Sequence, residues 1–298
     1  MDALYPPVPA TDVAADLAQC PVWDAAKRQL VWVDALGGAL LTGAVRIERI
    51  GTSVLARVEG HVSFVAPGED GGYVLGAGRD LVRLNADGVR IQQRRLLTDN
   101  LASRFNDGAV DPDGRILAGT CPLDGQNGPQ QLLRLEHSGR ITVVDADLGL
   151  SNGLGWSPDG RLFYSVDSWA GCVYVRSYDP LGDSIGGRRT LIRMPGHTPD
   201  GMCVDADGRL WIAMWGDGEV RGYAPDGTLL CTVPVPVPLV SGCAFIGSMY
   251  DRFVITTARG GSRGDDMSKA PNGAGRLFLT DVPATGRAPT LWRPQYLG

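Results

Sequence analysis

One segment recurs three times at a nearly fixed spacing, and it constrains the fold more than any other feature of the chain. In RFNDGAVDPDGR, SNGLGWSPDGR and PDGMCVDADGR a polar residue (Asn106, Asn152 or Asp200) stands eight positions before the glycine of a Gly-Arg turn. Each leads into a short apolar run, an Asp-Gly-Arg turn and a second apolar run, ILAG, LFYS or LWIA. The turn glycines are Gly114, Gly160 and Gly208, so the units are 46 and 48 residues apart. Weaker copies flank them: CPVWD with LVWVD, His61-Val-Ser-Phe-Val with YVLG, and Ser241-Gly-Cys-Ala-Phe with FVITT, six units in all. A second class of turn falls between the first: Asn85–Gly88, His137–Gly139 and Ala224–Gly227. Each unit therefore reads as four short strands. Such a unit repeated roughly every 40–50 residues predicts an all-β chain, a six-bladed β-propeller with four-stranded blades around a central channel. The equal offset then brings Asn106, Asn152 and Asp200 to one spot near the axis, and convergent side-chain oxygens are what a hard cation requires.

Composition enters in support. The chain has 41 Gly and 20 Pro among 298 residues, which suits dense turns. No linker divides it, so residues 1–298 are expected to form one propeller domain. Only Val13–Ala18 reads as a short helical piece. A net charge of −5 argues against nucleic acid or an anionic membrane as partner. No apolar run reaches the ~18 residues of a spanning helix. No basic-then-apolar leader opens the chain, so the expected location is cytoplasmic. The six cysteines contain no C-x-x-C pair and are expected to stay reduced. Cys203 and Cys243 fall in inner strands as small apolar residues. The polar stretch Gly260–Gly275 reads as a mobile loop. Val233–Val240, with Pro234, Pro236 and Pro238, reads as an extended connection rather than a central strand. Oligomeric state is not legible in the sequence.

The motifs CPVWD with LVWVD, RFNDGAVDPDGRILAGT, SNGLGWSPDGRLFYSVDS, PDGMCVDADGRLWIAMWG and AGRLFLTDVPATG occur in an order and spacing that resemble the senescence-marker-protein/gluconolactonase family. The likeness runs from Leu17 to about Gly286. It implies a divalent metal (Ca, Zn, Mg, Mn or Fe) at the top of the channel and a small-molecule substrate of the sugar-lactone type. It implies Asn152 and Asp200 as direct metal ligands, Asn106 as a ligand directly or through water, and Arg104 as the group that holds substrate oxygens. Asp107 matches a supporting position beside the site. Trp215 and Asp124 fall in loops where such substrates are contacted. One position departs from the pattern. The first-blade motif has Glu before Cys-Pro-x-Trp in the family, and here it is Gln19. Gln keeps a carbonyl oxygen but removes a full charge, and hard cations bind chiefly through charge.

Three readings follow. The chain is a metal-dependent lactonase with Gln19 as a neutral ligand and Asp200 or a metal-bound water starting attack. Alternatively, the metal is lost and the pocket serves a biosynthetic cyclisation, elimination or isomerisation with Asp200 as base and Arg104 as its electrophilic partner. Or the propeller binds a small molecule without turnover. Two of the three histidines are further candidates. His197, three residues before Asp200, is a candidate base or proton shuttle, and His61, at the start of an inner strand, a candidate channel contact. His137 reads as a surface turn residue.

Overall fold

The computed structural model describes residues 6–98, 102–123 and 128–293. Its strands form six four-stranded antiparallel sheets. The innermost strands are Ala18–Asp24, Val62–Pro67, Ser103–Val110, Ser151–Trp156, Thr198–Val204 and Val240–Ile246. They neighbour one another in a ring, first to sixth and back to first. The six-bladed propeller expected from the repeat is therefore the observed fold.

The Asp-Gly-Arg turns close the inner hairpins of the third, fourth and fifth blades. Asp205 Oδ1 accepts the backbone N–H groups of Asp207 at 2.9 Å and Arg209 at 2.8 Å, and Asp111 does the same for Asp113 and Arg115. The closing glycine takes a positive φ, 84° at Gly114 and 85° at Gly208, which a side chain would resist. Buried aromatic residues fill the seams between blades. Trp211 meets Phe245 and Phe253 with ring centroids 6.0 and 5.2 Å away. Trp23, Trp32 and Trp156 are likewise buried.

Two closures were not expected. The sixth blade takes its outermost strand from the N-terminus: Val8–Pro9 pairs with Phe278–Thr280, Val8 opposite Leu279. At the other end, residues 281–293 cross the face that carries the Asp-Gly-Arg turns. Thr285 O accepts from Ala206 N, Gly286 N donates to Tyr250 O, and Arg287 donates to Pro158 O and Trp156 O. Trp292 N donates to Pro67 O and Arg293 N to Gly114 O. This strap ties five blades together.

Two local expectations are corrected. Val13–Ala18 is not helical, because its backbone donors are taken by neighbours. Ala15 N bonds Gly275 O, while Asp16 N and Leu17 N bond the Asp34 carboxylate. Gly260–Gly275 is pinned rather than loose. Asp265 accepts from Gly261 N and Ser262 N, Arg259 pairs with Asp16 at 3.2 Å, and a 3₁₀ turn spans Met267–Lys269. Leu229–Pro234 is the outer strand of the fifth blade, and the proline-rich connection follows it. No helix among the described residues is long and apolar enough to cross a membrane.

Candidate functional site

Every inner strand is irregular at the same level. The register shifts between Gln19 and Val22, Val62 and Phe64, Phe105 and Asp107, Asn152 and Leu154, Pro199 and Met202, and Val240 and Gly242. A bulge re-aims the residues it contains, here toward the axis. In the first blade the bulge holds Cys20 at φ 50°, a conformation that costs a non-glycine residue of order 1–3 kcal/mol. The equal sequence offset of Asn106, Asn152 and Asp200 is the trace of these bulges.

The bulge residues form a belt in which side-chain donors reach the next blade. Ser241 Oγ donates to Ala18 O at 2.5 Å, and Gln19 Nε2 to Ser63 O at 2.5 Å and Asn106 O at 2.9 Å. Ser63 Oγ donates to Phe105 O at 2.6 Å. Asn106 Nδ2 donates to Ser151 O at 2.9 Å and Asn152 Oδ1 at 3.1 Å. Asn152 Nδ2 donates to Ser168 Oγ at 2.9 Å, and that hydroxyl donates to Pro199 O at 2.6 Å. The amide nitrogens of Gln19, Asn106 and Asn152 are thus all engaged. That fixes which end of each amide is nitrogen; the oxygens of Gln19 and Asn106 remain for a ligand, and Asn152 Oδ1, which accepts from Asn106, keeps its second lone pair.

The carboxylates lie at the same level. Asp200, Asp107, Gln19 and Asn152 line a cavity of about 410 Å³ that runs down the channel to Arg287 and Thr290 in the strap. Burial pushes Asp107 up to about 7. Burial, reinforced by the charge of Asp107, raises Asp200 well above the usual carboxylate range. Among the described residues neither has a salt-bridge partner within 4.0 Å. Two half-buried carboxylates without a counter-charge among the described residues, beside amide oxygens, fit a hard divalent cation. No cluster of three His, Cys, Asp or Glu side chains supplies an alternative metal site among the described residues.

The remaining expected site residues are placed as follows. Arg104 sits one residue above the third bulge and donates Nη1–H to Phe105 O at 3.0 Å, the carbonyl that Ser63 also uses. His61 is half-buried two residues before Ser63. His197 lies at the rim of the fifth blade, its Nδ1 2.6 Å from Asp217 Oδ2 and 3.4 Å from Arg221 Nη2. Trp215 is half-buried and packs with Leu239 and Met267 over Leu17 and Leu36. Asp124 lies outside the described residues. Sequence reasoning missed Ser63, Ser168 and Ser241. Ser63 and Ser241 occupy bulges of the weak repeats and emerge once those repeats are aligned on the bulge. Ser168 lies just past a second strand and carries no repeat signal.

Known proteins share this arrangement of blades. The family described as SMP-30/Gluconolactonase/LRE-like region matches residues 17–259. The chain belongs to that family. It is 35% identical over 286 residues to pentonolactonase XacC of Haloferax volcanii, covering 93% of this chain and 94% of the relative. It is 32% identical over 289 residues to regucalcin of Oryctolagus cuniculus, covering 91% and 93%. Among solved structures, a calcium-binding regucalcin from Agrobacterium tumefaciens superposes with a TM-score of 0.86 at 25% identity, covering 97% of this chain and 98% of that one. This chain carries glutamine at position 19, immediately before Cys20-Pro21-Val22-Trp23.

Proposed function

We propose that the chain is a lactonase that hydrolyses a small sugar-type cyclic ester, with a divalent cation held by Gln19, Asn106, Asn152 and Asp200. The observation that carries this reading is the belt. Its amide oxygens are pre-oriented by tethered NH₂ groups, and its two half-buried carboxylates lack a counter-charge among the described residues. The pentonolactonase relative supports the substrate class, and the calcium-binding regucalcin supports the cation.

A bound cation would supply Lewis-acid polarisation of the lactone carbonyl. The chain's own residues supply the rest. The Arg104 guanidinium is held by Phe105 O through one N–H and offers its others to substrate oxygens, which fixes the ring. Asp200, which lines the channel on the inner strand of the fifth blade, accepts the proton of the attacking water. The C–O bond to the ring oxygen then breaks, that oxygen takes the proton back from Asp200, and a hydroxy acid leaves.

The test is proton release from a panel of five- and six-membered aldonolactones with added divalent cation. Wild type is expected to turn over, and Asp200→Asn to lose on the order of 100-fold or more. A wild type that opens no lactone, yet gains thermal stability with one, would replace this reading with a binding protein.

A further inference from the structure

The belt has one seam of a different kind. Between the fifth and sixth blades no hydroxyl or amide side chain of the belt reaches the next backbone among the described residues, and two glycines meet instead. A Cβ on Gly201 would lie 2.6 Å from Ser241 O and 3.0 Å from Gly242 Cα, so the strands are already in contact there. The ties come one layer further down the channel, from sulfur. Cys243 Sγ lies 3.4 Å from Trp211 O, and Cys203 Sγ stands 3.8 Å from Cys243 Sγ. Both thiols line the channel cavity.

We propose that Cys203 and Cys243 form a thiol-modification site, oxidised by small hydroperoxides entering the channel to a disulfide that locks the fifth blade to the sixth. A disulfide needs sulfurs at about 2.0 Å. The two sulfurs lie on neighbouring inner strands and already stand 3.8 Å apart, so closing the bond takes a further approach of about 1.8 Å. One thiol attacks the peroxide O–O bond, giving a sulfenic acid and an alcohol (or water). The second thiol attacks that sulfur and expels water. Two thiols are oxidised and one peroxide is reduced. The pair is built for a slow response. Burial and the adjacent thiol keep Cys203 protonated well above the usual thiol range, and the thiolate is the reactive form. The consequence reaches the site, because Asp200 is three residues above Cys203 on the same strand. Drawing the sulfurs together with the backbones already touching at Gly201 shifts the Asp200 segment.

The experiment treats the folded full-length protein with hydrogen peroxide, alkylates remaining thiols after denaturation, and maps peptides by mass spectrometry. The expected product is a peptide pair linking 203 to 243, lighter by two hydrogens, reversed by dithiothreitol and accompanied by a higher melting temperature. Cys203→Ser and Cys243→Ser should each abolish the link and the peroxide-induced rise while melting close to untreated wild type. The proposal is overturned if both thiols are recovered alkylated, if each oxidises separately to sulfinic acid, or if the link forms only in denaturant.

Discussion

Exchanging Gln19 for Glu puts a carboxylate at the first-blade position and tests the belt most directly. In the chain as it stands, Gln19 Nε2 donates to Ser63 O at 2.5 Å and to Asn106 O at 2.9 Å, tying the first blade to the second and third. Gln19→Glu removes both donors and sets a carboxylate oxygen against two carbonyl oxygens. A half-buried hydrogen bond lost with its acceptor left unsatisfied costs about 1–3 kcal/mol, so the metal-free variant is destabilised by about 2–6 kcal/mol. For a chain of this length, at roughly 2 °C per kcal/mol, the melting temperature in EDTA falls by about 4–12 °C. Calcium narrows or closes that gap, because the variant adds a charge to the donor set and its stability rises with cation concentration as RT ln(1 + [L]/Kd), about 2.7 kcal/mol at 100 times Kd and about 4.1 kcal/mol at 1,000 times Kd. The assay is a pair of thermal melts, EDTA against excess Ca²⁺, for wild type and variant, with elemental analysis of each. A variant that melts with wild type in EDTA and ignores calcium would refute the reasoning, since Gln19 would then hold neither the blades nor the ion.

Two further outcomes follow from the same geometry. Ser168→Ala removes the hydroxyl that accepts from Asn152 and donates to Pro199 O; two net hydrogen bonds correspond to about 2 kcal/mol, read by chemical denaturation, and cation binding by calorimetry should weaken alongside. Trp292→Ala empties the strap's anchor, which is 2% exposed and lies against Gly68 and Arg83; a loss of about 3–5 kcal/mol is expected, with an unchanged lactone KM because the residue lies at the far end of the channel from the belt.

The propeller was legible because its signal is periodic. Each Asp-Gly-Arg turn is a local event, with Asp205 and Asp111 bonding backbone two and four residues on, and three such turns, with three weaker copies of the unit around them, specify a global ring. The closing elements were not legible because they repeat nothing. Val8–Pro9 is two residues long and takes its strand character wholly from Phe278–Thr280. The strap at 281–293 has no apolar alternation; the backbone groups it finds on five blades hold it. Val13–Ala18 shows the converse, a local pattern overridden when Asp34 and Gly275 take its donors. At the site, the offset identified Asn106, Asn152 and Asp200, but a single sequence shows only which residues share a level. It does not show that Ser63 and Ser241 use that level to bridge blades, nor that Ser168 enters the belt from a neighbouring strand.

The belt also explains how glutamine can occupy the first-blade position. With glutamate there, the inner ring would hold three acidic groups, the added carboxylate beside Asp107 and Asp200, and those two already resist ionisation because they are half-buried. Such a ring is stable chiefly when a cation neutralises it. With Gln19, one of those charges is absent, and the NH₂ group bonds the same two blades that a cation would otherwise draw together. Asn106 and Asn152 repeat the device in part: each nitrogen binds protein, the Asn106 oxygen is left over, and the Asn152 oxygen accepts from Asn106 with one lone pair to spare. The ring of this chain is therefore organised before any cation arrives. On the proposed reading, its cation affinity is lower than a glutamate ring would give, and its fold is less dependent on the ion. The signature of that arrangement is a wild-type melting temperature that changes little between EDTA and calcium, beside a Gln19→Glu variant for which it changes greatly.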